Sequence, residues 1–337
     1  MIDLSARYLG LTLANPLVAS ASPLSHTVEG VCRLARGGVA AVVLHSLFEE
    51  ELDEEAERQA RLIEVGTESF AESLSYFPDV PGADQGAAYY LSLLERASAA
   101  VEIPVIASLN GVTPGGWTSY ARQMQDAGAA AVELNLYASP AALGTLGRDI
   151  EARHADILGQ VKAAVSVPVA VKLSPYYTSV GEIALRLRDA GADGLVLFNR
   201  FLHPDIDPRG VAPVPTLGLS QPGEGRLARA WIALLRRHLA IDLAGSTGVE
   251  GPEDVVRYLL AGADVVMSAS ALLRHGPEHA HVLVDGLAKW MAGRGFETLE
   301  ELRGLSAVPP GEDAAGRERD AYVSALREAN VTLQGPW

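Results

Sequence analysis

At 337 residues, 48% hydrophobic and 20% charged, the chain is long enough for one large domain or two ordinary ones and apolar enough to bury a sizeable core. Its net charge of −15 leaves no basic surface for a phosphate backbone, which excludes ordinary nucleic-acid binding, and its single cysteine, Cys32, excludes an internal disulfide or a Cys-x-x-Cys metal or iron–sulfur site. No apolar run reaches the ~18 residues of a membrane span, and Met1 to Gly10 lacks a charged leader ahead of an apolar core, so a cytoplasmic protein without membrane contact is expected.

Along the chain one phrase recurs: Gly38-Val39-Ala40-Ala41-Val42-Val43-Leu44, Gly128-Ala129-Ala130-Ala131-Val132-Glu133-Leu134, Gly191-Ala192-Asp193-Gly194-Leu195-Val196-Leu197 and Gly262-Ala263-Asp264-Val265-Val266-Met267-Ser268. Each is a glycine that closes a helix followed by a short apolar strand, the αβ junction of a parallel sheet. A second phrase, Ile103-Pro104-Val105 and Val167-Pro168-Val169, alternates with it. In order, the predicted strands are Asn15 to Ala21, Ala41 to Ser46, Val105 to Asn110, Val132 to Tyr137, Val169 to Ser174, Leu195 to Asn199, Ile241 to Gly245 and Val265 to Ser270. Helical periodicity falls between most of them, at Trp117 to Ala127, Asp149 to Ala164, Val180 to Ala190, Gly225 to His238 and Pro252 to Ala261.

Eight alternating βα units predict an α/β fold, a (β/α)8 TIM barrel over residues 1–303, as a single domain. An open doubly wound sheet is the alternative, but no Gly-x-Gly-x-x-Gly turn follows the first strand. Two long βα insertions, Phe48 to about Gly86 and Phe201 to about Gly223, project from the C-terminal rim as candidate lid or substrate loops. Residues 304–337 form a tail expected to hold one amphipathic helix, from about Asp313 to Glu328, packed on the barrel or on a second subunit.

Strands buried on both faces should be nearly all apolar, so their polar residues need a reason. Side-chain alternation puts Ser108 and Asn110, Glu133, Asn135 and Tyr137, and Lys172 and Ser174 on inward faces of three neighbouring strands. A single polar residue at a strand end is ordinary, but three strands deliver Asn110, Asn135 and Lys172 to one rim. A buried lysine needs an anion, supplied by Glu133 from inside or by a bound cofactor from outside. Gly245-Ser246-Thr247-Gly248 ends the seventh strand and Ser268-Ala269-Ser270 the eighth, each before a helix start. Small residues and helix-start N–H groups there suit a phosphate-bearing ligand.

Other signals are weaker. The acidic run Glu49 to Glu55 is a solvated helix face, and His275 and His279, at i, i+4 spacing with Pro277 between them, belong to a surface helix rather than a zinc site; no metal is expected. Ser20, Ser22 and Ser25 lack the Gly-x-Ser-x-Gly elbow of a hydrolase.

Taken in order, five segments resemble the dihydroorotate dehydrogenase family, in its soluble class 1 branch. They are Asn15-Pro16-Leu17-Val18-Ala19-Ser20-Ala21-Ser22, Glu133-Leu134-Asn135-Leu136, Val171-Lys172-Leu173-Ser174-Pro175-Tyr176, Gly245-Ser246-Thr247-Gly248 and Ser268-Ala269-Ser270-Ala271-Leu272, spread over roughly Leu9 to Gly295. The resemblance implies a flavoprotein with FMN as cofactor. Hydride would pass from a CH–CH donor to flavin N5 (dihydroorotate to orotate in the family), and pyrimidine biosynthesis would be the setting. It implies Ala21 and Ser22 at the flavin edge and Ser46, Asn110 and Asn135 along the ring. Lys172 would lie near N1 and the C2 oxygen, with Asn199 at a ribityl or substrate contact. Gly245, Thr247, Gly248, Ala269 and Ser270 would hold the phosphate.

The chain also departs from the family's pattern. Where the family places a cysteine or serine base after the fourth strand, the register gives Ala138, leaving Ser139 or Tyr137 to act only if the loop shifts. The lysine expected after the second strand is His45, a residue able to titrate near neutrality, to donate to the flavin, or to serve structure alone. No substrate asparagine is evident in Glu72 to Asp79.

The leading expectation is an FMN-dependent oxidoreductase acting on a small molecule, reoxidised by an unknown electron acceptor and able to form a homodimer. A flavin-binding barrel that does not catalyse, acting as a redox subunit or interaction module, is the alternative from another class. A phosphosugar isomerase or aldolase with Lys172 as a Schiff-base lysine is a third.

Overall fold

The computed structural model describes residues 2–51, 86–111, 117–136, 143–200, 203–216 and 218–333. The chain opens with a hairpin of β1 (Ala6–Tyr8) and β2 (Leu11–Leu13), turned through Leu9 and Gly10 at φ 53° and 73°. Eight strands then alternate with helices: β3 (Leu17–Ala19), β4 (Ala41–Phe48), β5 (Val105–Gly111), β6 (Ala131–Leu136), β7 (Val169–Lys172), β8 (Gly194–Leu197), β11 (Asp242–Gly245) and β12 (Val265–Ser268). They pair in parallel in that order, and β12 returns to β3 to close the barrel. The fold is the (β/α)8 barrel that the recurring glycine-to-strand phrase predicts.

The helices arise where the sequence sets them. Pro252–Ala261 has Pro252 in its first turn, Glu253 and Asp254 in favourable positions for the helix dipole, and Gly262 at φ 118° as its left-handed stop. Val28–Arg36 and Val180–Asp189 begin at Thr27 and Ser179, whose side chains accept from the amides of Gly30 and Glu182. Each helix turns a buried apolar stripe to the strands. Barrel-strand residues such as Val42, Leu134, Val171, Leu195 and Val265 are wholly buried.

Three features depart from the sequence reading. Ala6 to Gly10, in a stretch read above only for a leader, contributes most of the hairpin that sits under the barrel. The Leu9 amide donates to Asp242 Oδ2 at 2.6 Å, and a Cβ on Gly194 would come within 2.9 Å of Leu9. The proline-rich insertion after β8 is not an irregular loop throughout; it contains an antiparallel hairpin of β9 (His203–Asp207) and β10 (Ala212–Thr216). Finally, His275 and His279 do not share a helix, because Gly276 and Pro277 separate Ser270–His275 from His279–Arg294.

Most of the insertion after β4 lies outside the described residues. In the tail a helix runs over Ala314–Leu333, and its described side chains are exposed or half-exposed, Tyr322 and Leu326 among the exposed ones.

Candidate functional site

The C-terminal ends of β3, β7, β8, β11 and β12 surround an open cavity of about 510 Å³. Ala21, Lys172, Asn199, Thr247, Gly248, Ala269 and Ser270 line it, together with Ser20, Arg200 and Ser220.

At its floor Lys172 Nζ lies 3.3 Å from Glu133 Oε1 and 3.2 Å from Ser20 Oγ, all three residues being buried. The internal carboxylate is thus the lysine's partner. Glu133 Oε2 remains without a hydrogen-bond partner, so the pair is only partly compensated in the barrel interior. A second pair ties the strand ends together: Asn199 Nδ2 donates to Asn135 Oδ1 at 2.7 Å. Asn110 stands in register beside Asn135, and Ser46 Oγ and Ser108 Oγ are 2.9 Å apart.

The glycine-rich turn after β11 is held by strain and by one tyrosine. Thr247 and Gly248 both have positive φ, 77° and 67°, a conformation costly for a β-branched residue. Tyr258 Oη compensates from below, within 2.6 and 2.7 Å of the Ser246 and Thr247 carbonyls. A Cβ on Gly248 would lie 2.6 Å from the Gly225 amide, so only glycine fits. Gly245 has a packing reason of its own: a Cβ there would lie 2.2 Å from the Tyr258 ring, and it does not line the cavity. Across the turn, Ser220 Oγ accepts from the Gly248 amide at 3.2 Å and sits 2.9 Å from Ser270 Oγ. Arg274 donates to the Ser220 carbonyl and pairs with Glu250.

Of the remaining expected positions, Ser22 opens the short 3-10 turn Pro23–Ser25 and is buried there. Ser139, with Tyr137 and Ala138, lies outside the described residues. His45 is not poised near neutrality. A register shift between Val43 and Ser46 puts an extra residue into β4, and the His45 ring packs against His26 (3.9 Å between centroids) and Tyr90 (5.1 Å). Burial, aided by His26, pushes its pKa down to about 4, so the imidazole is neutral at pH 7.

Ser20, weighed above only as a hydrolase serine, and Arg200 and Ser220, not named from the sequence, also belong to the lining. Ser20 sits at a strand end, where alternation could have flagged it; Arg200 and Ser220 flank the strand-eight insertion, where no periodicity exists to be read.

A cation at the floor, side-chain amides at the strand ends and a strained small-residue turn thus meet at one rim of the barrel. The dihydroorotate dehydrogenase profile matches residues 3–291, and the chain belongs to that family, as a dihydroorotate dehydrogenase-like oxidoreductase. Similar proteins include the catalytic subunit of dihydroorotate dehydrogenase B (NAD(+)) of Methanothermobacter thermautotrophicus, 30% identical over 88% of this chain and 96% of that one. A putative dihydroorotate dehydrogenase A (fumarate) of Aeropyrum pernix is 31% identical over 74% of this chain and 89% of its own. The dihydroorotate dehydrogenase B (NAD(+)) catalytic subunit of Thermoplasma acidophilum is 29% identical over 91% and 99%. No described helix is long and apolar enough to cross a membrane.

Proposed function

We propose that the protein is an FMN-dependent oxidoreductase that oxidises a CH–CH bond of a small molecule of the dihydropyrimidine type, dihydroorotate being the family's substrate. The observation that carries this reading is the pairing, in one cavity, of buried Lys172 with the strained Thr247–Gly248 turn. That turn, with Ser220 and Ser270, offers small side chains and backbone amides where a phosphate would seat. Lys172 at one end of the cavity, and the Gly248 turn with the Ser220 and Ser270 hydroxyls at the other, fit a group with a polar ring at one end and an anion at the other.

When bound, FMN supplies a hydride acceptor at N5. Lys172 would hold its positive charge near N1 and the C2 oxygen, where negative charge collects on reduction, with Glu133 and Ser20 fixing the ammonium in place. Asn110, Asn135 and Asn199 would orient ring and substrate through side-chain amides, and Ala21, Ser22 and Ser46 would border the ring edge. A proton must leave the substrate as hydride departs. With Ala138 at the family's base position, Ser139 is the residue proposed to receive it.

The relatives are named for two different electron acceptors, NAD(+) and fumarate, so the acceptor is not part of the proposal. The test is the visible spectrum of the purified protein, followed by anaerobic addition of dihydroorotate and related dihydropyrimidines. A yellow protein bleached by one of them is the expected result. A yellow protein that none of them bleaches supports the non-catalytic flavin-binding barrel, the reading that Ala138 favours. A colourless protein that takes up no FMN overturns both.

A further inference from the structure

Among the described cations that line or adjoin the cavity, two are held by hydrogen-bonded anionic partners. Lys172 is paired with Glu133. Arg274 is held by Glu250 and the Ser220 carbonyl. Arg229 lies over the Tyr258 ring and 3.6 Å from Asp254; its Nη1 also lacks a hydrogen-bond partner, but Arg229 does not line the cavity. Arg200 does line it. Its Nε and Nη1 are buried and have no hydrogen-bond partner, and its one ion pair, Nη2 to Glu224, is long at 3.5 Å. A guanidinium cannot shed its proton to escape this situation, so two desolvated donor nitrogens are left without an acceptor.

The location of Arg200 says which acceptor. Its backbone amide donates to Asn199 Oδ1, and Asn199 is anchored to Asn135, which fixes where the chain leaves β8. Its side chain reaches Glu224, the residue before Gly225, and Gly225 is packed directly against the Thr247–Gly248 turn. Arg200 therefore stands on the wall of the cavity beside the small-residue turn, with Ser220 and Ser270 in the same lining. The other members of that wall are neutral: hydroxyls and backbone amides. A phosphate seated there with only neutral donors would bring close to two negative charges into a chain whose net charge is already −15.

We infer that Arg200 is the cationic ligand of the cofactor's phosphate, its guanidinium turning out of its buried position and away from the long contact with Glu224 to donate charge-assisted hydrogen bonds to phosphate oxygens. The inference rests on the FMN reading above and deepens it, by making discrimination between a phosphorylated and an unphosphorylated flavin depend on one side chain.

The test compares FMN with riboflavin, which has the same ring and ribityl chain but no phosphate, by fluorescence titration of protein stripped of flavin. Arg200→Gln should weaken FMN binding by about 10- to 100-fold and riboflavin binding by less than about twofold, the size expected for losing hydrogen bonds to a charged group. Arg200→Lys, which keeps the charge but not the planar fork, should lose an intermediate amount for FMN only. Equal weakening of both flavins, or no change in either, overturns the assignment. So does an unchanged FMN-to-riboflavin ratio accompanied by a raised KM, which would make Arg200 a substrate ligand. Inorganic phosphate separates the assignment from the functional reading. If the wild-type protein binds no flavin, yet phosphate raises its Tm and not that of Arg200→Gln, the anion site stands and the FMN reading falls. If phosphate raises neither Tm and no flavin binds, both fall.

Discussion

The two halves of the barrel's C-terminal rim are held together by different means. On the β11–β12 side the geometry resides in the backbone: Thr247 and Gly248 in left-handed conformations, Tyr258 bracing two carbonyls, and Gly225 and Gly248 so close that a methyl group would not pass between them. On the β4–β6 side it resides in exchangeable side chains, Ser46 on Ser108 and Asn135 on Asn199, beside a His45 packed away with aromatic neighbours. A site whose backbone is committed can change little without losing its ligand; one made of side-chain pairs can be retuned residue by residue. That contrast parallels what the family resemblance implies, with the small-residue motifs kept and Ala138 and His45 standing where a base and a lysine would be expected.

Lys172 joins the two halves, and replacing it should have the largest effect. Lys172→Met strands Glu133 in the barrel interior, and a loss of about 3–5 kcal/mol in chemical denaturation is expected. The double variant Lys172→Met/Glu133→Gln should recover much of this, because no buried charge is left. If single and double variants are equally unstable, the pair is not what holds the floor.

Next comes the committed half. Gly248→Ala forces a Cβ against the Gly225 amide at a positive φ and should cost about 2–3 kcal/mol, with flavin lost on purification. A stable variant that keeps its cofactor would show the turn to be as adaptable as the opposite side.

Acid should sharpen the contrast from the exchangeable half. Burial lowers His45 and His154 to about 4, against 6.5 for the unfolded chain. Between those values the unfolded state binds protons that the folded state refuses, so stability is full above pH 6.5 and falls as pH drops toward 4. His154, which shares a 2.7 Å hydrogen bond with Tyr177, should account for on the order of 2 kcal/mol of that loss. In denaturation titrations at stepped pH, His154→Gln should flatten the slope; an unchanged slope would remove the histidine from the account.

The smallest effect is expected from Ser220→Ala, which deprives the Gly248 amide and Ser270 of a partner. About 1 kcal/mol is expected, and less still when FMN is bound and takes over those donors. A cost that does not shrink on adding FMN would separate Ser220 from the cofactor.

Much of the fold was legible because a parallel barrel repeats itself. Pro252–Ala261 was read to the residue, since proline, acidic first turn and terminal glycine mark both ends. The inward positions of Glu133, Asn135 and Lys172 followed from alternation on unbulged strands. His45 resisted the same logic, because the register shift in β4 breaks alternation just before it. Arg200 and Ser220 were hidden for another reason: they come together only when the hairpin of β9 and β10 folds back, a long-range event that local periodicity does not encode. The first hairpin was missed because strands of three residues are too short to show a period.

That first hairpin has a consequence for the order in which the molecule is made. Leu9 hands its amide proton to Asp242, 233 positions further along, and β3 finds one of its two neighbours only when β12 arrives. The hairpin residues are made before the residue that receives them, and more than two hundred further positions must be added before their binding place exists. Sealing the floor and closing the ring are thus the work of the same late stretch of chain.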